Sequence, residues 1–228
     1  MRGVTTKLCP PMNNTISKKK LRSLSASSLA NSIQLHLDSI VLFGEKRYSS
    51  AFYLSVIAME EMAKAKRLEH YFFYYTQNQE HRFEQAFLSR LYDHSSKQRA
   101  FIGHDLEHYS PKYYNAVENR QLDQKKLKAL YVGLDKKNKL IDTKSKISRP
   151  SSFKSTDAKQ QISVFNDELK HLMNSMNKYE YYFFIPEMDC ILSDTTTKQI
   201  VDRWKFKSGI RSKKWWPYWR KRFASPSK

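Results

Sequence analysis

The chain has 228 residues, with 41 Lys and Arg against 22 Asp and Glu for a formal charge of +19, and only 5 Gly and 7 Pro. That length holds one domain with a real core plus tails, and the shortage of turn-formers argues for helices over many-stranded sheets. The charge excess predicts attraction to polyanions, while Cys9 and Cys190, which lack metal-ligand spacing, suggest neither a disulfide framework nor a zinc site.

Residues 1–24 read as a disordered basic arm: Pro10-Pro11, Asn13-Asn14 and Lys18-Lys19-Lys20 offer nothing to bury. The arm lacks the apolar stretch of a signal peptide, and no apolar run approaches the roughly 20 residues that span a bilayer, so a cytoplasmic protein is expected. A first helix is expected from a cap among Ser25–Ser28, with Leu29, Ile33, Leu37, Ile40 and Val41 at helical spacing and a stop at Gly44. After the link EKRY, Ser49 and Ser50 can cap a second helix to about Tyr75, which completes a helical hairpin.

The second helix carries an anomaly. At about 100° per residue, Leu54, Ala58, Ala65, Leu68 and Phe72 form one stripe, and Glu61 lies near its middle. A carboxylate there must be paired, hydrogen-bonded or turned toward a cleft. Glu60 and Lys64, at i and i+4, read as an ordinary surface pair.

A third helical stretch begins near Glu80 with Phe83, Phe87, Leu88 and Leu91, and continues with a break through DHSSKQRAFIGH. A charged segment follows, then ALYVGLD, which reads as strand-like or an extended turn, and a polar loop. Beyond Asp157, a natural cap, Ile162, Phe165, Leu169, Leu172 and Met176 return to helical spacing. The end of the chain, KKWWPYWRKRF, mixes cations with aromatics and shows no clear period.

The run from Ser27 to Leu68 resembles the opening of AbiV-type abortive infection proteins, members of the HEPN superfamily: Gly44, Tyr48 and a Glu-Glu-x-x-Lys of Glu60, Glu61 and Lys64 stand in order. Asp93, His94 and Lys97 match the family's Asp-His-x-x-Lys, and Leu130, Tyr131, Val132 and Pro150 match a later run, with Gly133 where an acid is usual. The resemblance covers roughly residues 25–180. It implies an all-α, HEPN-type bundle of four to five helices over residues 25–185; the basic arm and the aromatic and basic extension at 186–228 fall outside it. It also implies a phage-defence role by translation shutdown, RNA or the ribosome as partner, and a homodimer. Silence in uninfected cells requires a phage-encoded activator or a paired regulator.

Within those motifs, His94, Lys97, Glu61 and Lys64 form a constellation able to cut RNA without metal or cofactor. A His passes a proton near neutral pH, a Lys holds a phosphate, and a Glu fixes the imidazole tautomer. A purely structural Glu61–Lys64 ion pair holding helices in register is the competing reading. Arg99 and His104 copy the Arg-x4–6-His pattern of many HEPN ribonucleases. Residues five apart point about 140° away from each other on a regular helix, so that copy needs a break near Gly103. In the tail, Lys213, Lys214, Trp215, Trp216, Trp219, Arg220 and Arg222 suit stacking on unpaired bases with cations on phosphates. Packing of the tryptophans onto the domain and insertion at a membrane interface are the alternatives, and Pro217 counts against a membrane helix. A protein that binds RNA, ribosome or regulator and cuts nothing is the alternative to the enzyme.

Overall fold

The computed structural model describes residues 16–77, 85–103, 106–134, 136–137, 140–179 and 183–224. Its architecture is all-α. Helices α1 (Lys18–Gly44) and α2 (Tyr48–Gln77) form the expected hairpin, joined through Glu45, Lys46 and Arg47. Ser17 caps α1, its side chain accepting from the Lys20 amide at 3.2 Å. The helix therefore starts within the segment expected to be a basic arm, and Leu21 there is fully buried. Residues 1–15 of that arm lie outside the described residues. The chain leaves α1 just past Gly44, with Lys46 in the left-handed region at φ 59°.

The buried face of α1 carries the expected Leu29 and Ile33 and adds polar residues beside them. Leu21, Ser25, Ser28, Ser32, His36 and Ser39 are buried, while Val41 is 51% exposed. Ser32 and Ser39 donate to the carbonyls of Leu29 and His36 in their own helix at 2.6 and 2.7 Å, and Ser25 donates to the Ala65 carbonyl of α2 at 2.9 Å. With their hydroxyls satisfied, these serines act as small residues that let the two backbones approach closely.

Short helices α3 (Gln85–Tyr92) and α4 (His94–Gly103) are separated by Asp93, whose carboxylate accepts from the Ser96 amide at 2.8 Å and opens α4. A single 3₁₀ turn leads to α5 (Pro111–Glu118), capped by Ser110, and α6 (Gln121–Lys128). Ala129 to Leu134, the described part of ALYVGLD, is irregular. Gly133 bridges Ser148, and strands β1 (Lys136–Lys137) and β2 (Leu140–Ile141) pair antiparallel, leaving Tyr131, Val132, Leu140 and Ile141 exposed. Helix α7 (Ser155–Tyr179) restores the expected periodicity and buries Ile162, Phe165, Leu169, Leu172 and Met176.

Helix α2 is the axis of the bundle. It packs against α1, α4, α6 and α7, and buries residues on several faces: Phe52, Val56, Met59, Glu60, Met62, Ala63, Lys66 and Leu68. The premise of a single apolar stripe therefore does not hold for α2.

The end of the chain is not a free extension. Helices α8 (Pro186–Ser193) and α9 (Thr195–Arg203) pack on α1 and α7, and α10 (Trp216–Ala224) packs on the 3₁₀ turn before α5. Trp204 is buried with its indole N–H on Ser163 Oγ at 2.8 Å; Trp219 is 1% exposed and donates to the Tyr109 carbonyl at 2.8 Å. The amides of Ser110 and Ser212 complete a strand-like pairing, donating to the carbonyls of Ile210 and His108 at 2.9 and 2.7 Å. None of the described helices is long and apolar enough to cross a membrane.

Candidate functional site

The two family-like motifs meet in space, through a different carboxylate from the one expected. Glu60, not Glu61, is fully buried and faces α4. Its Oε2 accepts from His94 Nδ1 at 2.5 Å and lies 3.6 Å from Lys97 Nζ. Its Oε1 accepts from Gln98 Nε2 and from Lys126 Nζ, both at 2.8 Å. His94, Lys97 and Gln98 are i, i+3 and i+4 of α4, so one helical face grips one carboxylate. Lys126 arrives from α6 and also meets Asp123 at 3.1 Å.

Glu61 turns away into a tight pair with Lys64 at 2.7 Å, each side chain 14% exposed. The expected constellation is thus split: Glu61 and Lys64 pair with each other, while His94 and Lys97 belong to Glu60. Sequence reasoning passed over Glu60 because an i, i+4 partner made it look like a surface residue. It missed Lys126 because nothing in the run QLDQKKLK distinguishes the buried lysine from its neighbours.

Local chemistry fixes the imidazole. A carboxylate only accepts, so the His94 nitrogen facing Glu60 carries the proton and the neutral ring keeps its lone pair on Nε2. The His94 side chain is 54% exposed, against 1% for Glu60 and 8% for Lys97. One nitrogen is anchored to a buried anion while much of the ring remains open to solvent, the arrangement of an oriented acid–base group. Asp93, next to it, is held below the ordinary carboxylate range: desolvation opposes this, and the hydrogen bonds with Ser96 and the charges of Arg120 and Arg99 outweigh it. Arg99 is exposed, and His104 lies outside the described residues.

A second buried ion cluster lies on another flank of α2. Glu168 of α7 takes Lys66 on Oε1, and on Oε2 accepts from Arg211 Nε at 2.8 Å and the Tyr109 hydroxyl at 3.1 Å. Despite desolvation, the charges of Lys66 and Arg211 pull its carboxyl down to about 2. No group on it is open in the way His94 is, so it ties α2, α7 and the chain end together.

Of the tail residues expected on nucleic acid, Trp219 is committed to the core. Trp216 is 41% exposed, and Arg220 lies 5.7 Å from its ring centre; Lys214 lies 4.7 Å from the ring centre of Trp215. Lys213 and Arg222 are exposed, Arg222 lying 5.5 Å from the Trp219 ring centre. Among the described residues no group of three His, Cys, Asp or Glu is placed to hold a metal ion.

Comparison with known families decides the kinship: residues 20–171 match the AbiV family of HEPN domains. The chain belongs to that family. Membership points to abortive infection, a form of phage defence. No curated protein and no solved structure matches the chain. The AbiV match spans α1 to most of α7, and so includes both motifs that converge on Glu60, while α8 to α10 lie beyond it.

Proposed function

We propose that this AbiV-family protein cuts RNA without a metal ion, and that the cut shuts down translation in the infected cell. The observation that supports this reading is the His94–Glu60 pair, an exposed imidazole oriented by a buried carboxylate. In the proposed step, His94 Nε2 takes the proton of a ribose 2′-hydroxyl, the 2′-oxygen attacks the adjacent phosphorus, and the P–O5′ bond breaks. The leaving oxygen takes a proton from water and the resulting hydroxide takes the proton held by His94, so the products are a 2′,3′-cyclic phosphate and a 5′-hydroxyl with the imidazole restored. Glu60 stabilises the imidazolium while it carries the proton, and Lys97 and Lys126 hold Glu60 in place. The alternative, a protein that occludes RNA or ribosome and breaks no bond, draws on the charge of +19 and the exposed cations of the tail.

The experiment incubates purified protein with total RNA in EDTA and maps the new ends. Cyclic-phosphate ends made by the wild type and not by folded His94→Ala are expected. Intact RNA with the wild type, or equal cleavage by His94→Ala, rejects the enzymatic reading. Defence retained by His94→Ala then leaves occlusion standing.

A further inference from the structure

The lysines first expected on phosphate are taken: Lys64 pairs with Glu61 and Lys97 turns to Glu60. Three arginines on α2, α3 and α4 are in no such pair. Arg67 lies seven residues beyond Glu60 on the same face of α2, about 10 Å along the axis. Its Nη1 donates to the carbonyl of Arg90, in the last turn of α3, at 3.5 Å. Arg99, on α4 one turn beyond Ser95 and turned away from the face that carries His94, completes the group by its charge on Arg67. Arg67 is partly buried, Arg90 and Arg99 are exposed, and none of the three is ion-paired with a carboxylate among the described residues.

They are close enough to act on one another. Arg67 is held below the ordinary arginine value by desolvation first and then by the charges of Arg90 and Arg99, with Asp93 the acid that opposes them. Asp93 is already engaged by the Ser96 amide and shares its field with Arg120. Gathering three like charges at a half-buried position against the single carboxylate of Asp93 is unfavourable, and a bound anion reverses the sign of that interaction. A guanidinium fork matches the paired oxygens of a phosphodiester better than an ammonium does.

We infer that Arg67, Arg90 and Arg99 form a subsite for a backbone phosphate of RNA, next along the strand from the one placed at His94. This rests on the RNA reading above, and it gives the substrate a direction: the strand runs from His94 across the α3–α4 junction toward the end of α2. The subsite positions substrate and takes no part in proton transfer.

The test measures binding of a 12-nucleotide single-stranded RNA in the non-cleaving His94→Ala background. Arg67→Gln, Arg90→Gln and Arg99→Gln should each weaken binding about tenfold, equally for unrelated sequences, and each should lower the slope of log affinity against log salt by about one. Arg67→Lys should keep the slope and lose part of the affinity, a split that a capping role for Arg67 on α3 does not produce. Titration with inorganic phosphate separates the sources: a site that takes free phosphate while all three folded variants bind RNA as tightly as the parent overturns the inference. So does unchanged RNA affinity with no phosphate binding. If the wild type cuts no RNA but the three variants still weaken binding, the subsite stands and the cleavage reading falls.

Discussion

His94 Nδ1 lies 2.5 Å from Glu60 Oε2, and the carboxylate is buried while the imidazole is half in solvent. The two partners therefore carry unequal loads. Glu60 neutralises Lys97 and Lys126 in the interior, whereas His94 adds only one edge to the cluster.

Glu60→Gln should destabilise the protein by about 3 kcal/mol, because it leaves the nearly buried Lys97 ammonium without its anion and Lys126 with Asp123 alone. His94→Ala should leave stability within about 1 kcal/mol of wild type, as expected for a side chain more than half exposed. Urea denaturation of both variants measures the difference. Similar losses for the two would mean that His94, too, supports the fold.

Acid should unfold the protein in two stages. His36 is buried against Asn166 with its Nε2 at 2.9 Å, and desolvation lowers its pKa to about 4, with the Asn166 hydrogen bond working in the opposite direction. Its folded value lies below its unfolded value of 6.5, so its contribution is complete above pH 6.5 and is lost as pH falls to about 4. Stability measured from pH 7 to 4.5 should fall in the wild type and stay flatter in a folded His36→Gln.

Glu168 governs the lower range. Its folded value of about 2 lies below its ordinary 4.5, so its stabilisation is full above pH 4.5 and disappears as pH falls to about 2. The shift corresponds to about 3 kcal/mol. Glu168→Gln should be less stable at pH 7 and should lose less further stability than the wild type between pH 4.5 and 2.

Removing residues from Ser208 onward deletes Arg211 from the Glu168 cluster and strips Ile210 and Trp219 from the core. The shortened chain should unfold at markedly lower denaturant. Trp219→Ala alone should cost about 3–5 kcal/mol. A shortened chain with unchanged midpoint would show that the packed tail adds nothing to stability.

RNA binding, if it follows the charge, should weaken steeply between 50 and 200 mM salt, as counter-ions are no longer released at a gain. Anisotropy titrations across that range measure it. Affinity independent of salt would make the excess of lysine and arginine irrelevant to binding.

The sequence by itself determined the all-α class, the α1–α2 hairpin, the return to helix at α7 and the family motifs, because these rest on local period, caps and short spacings. Ile162, Phe165 and Leu169 are core for the reason their spacing gives. Only the tertiary structure decided which acid of the Glu60–Glu61 pair meets His94. A helix packed on one side has one interior face, and Glu61 falls on it; α2 is enclosed on several sides, so the direction of each residue depends on neighbours drawn from residues 94–98, 126 and 168. The same holds for the tail. KKWWPYWRKRF has a composition that suits solvent, lipid or core, and the contact of Trp219 with Tyr109, across 110 residues of chain, selected the core. Ser32 and Ser39 on α1 read as polar until their hydroxyls close onto their own helix, and Lys66 and Glu168 look like surface charges until Arg211 joins them. Burial of a polar group is decided by whether a partner arrives, and for these groups most of the partners come from distant parts of the chain.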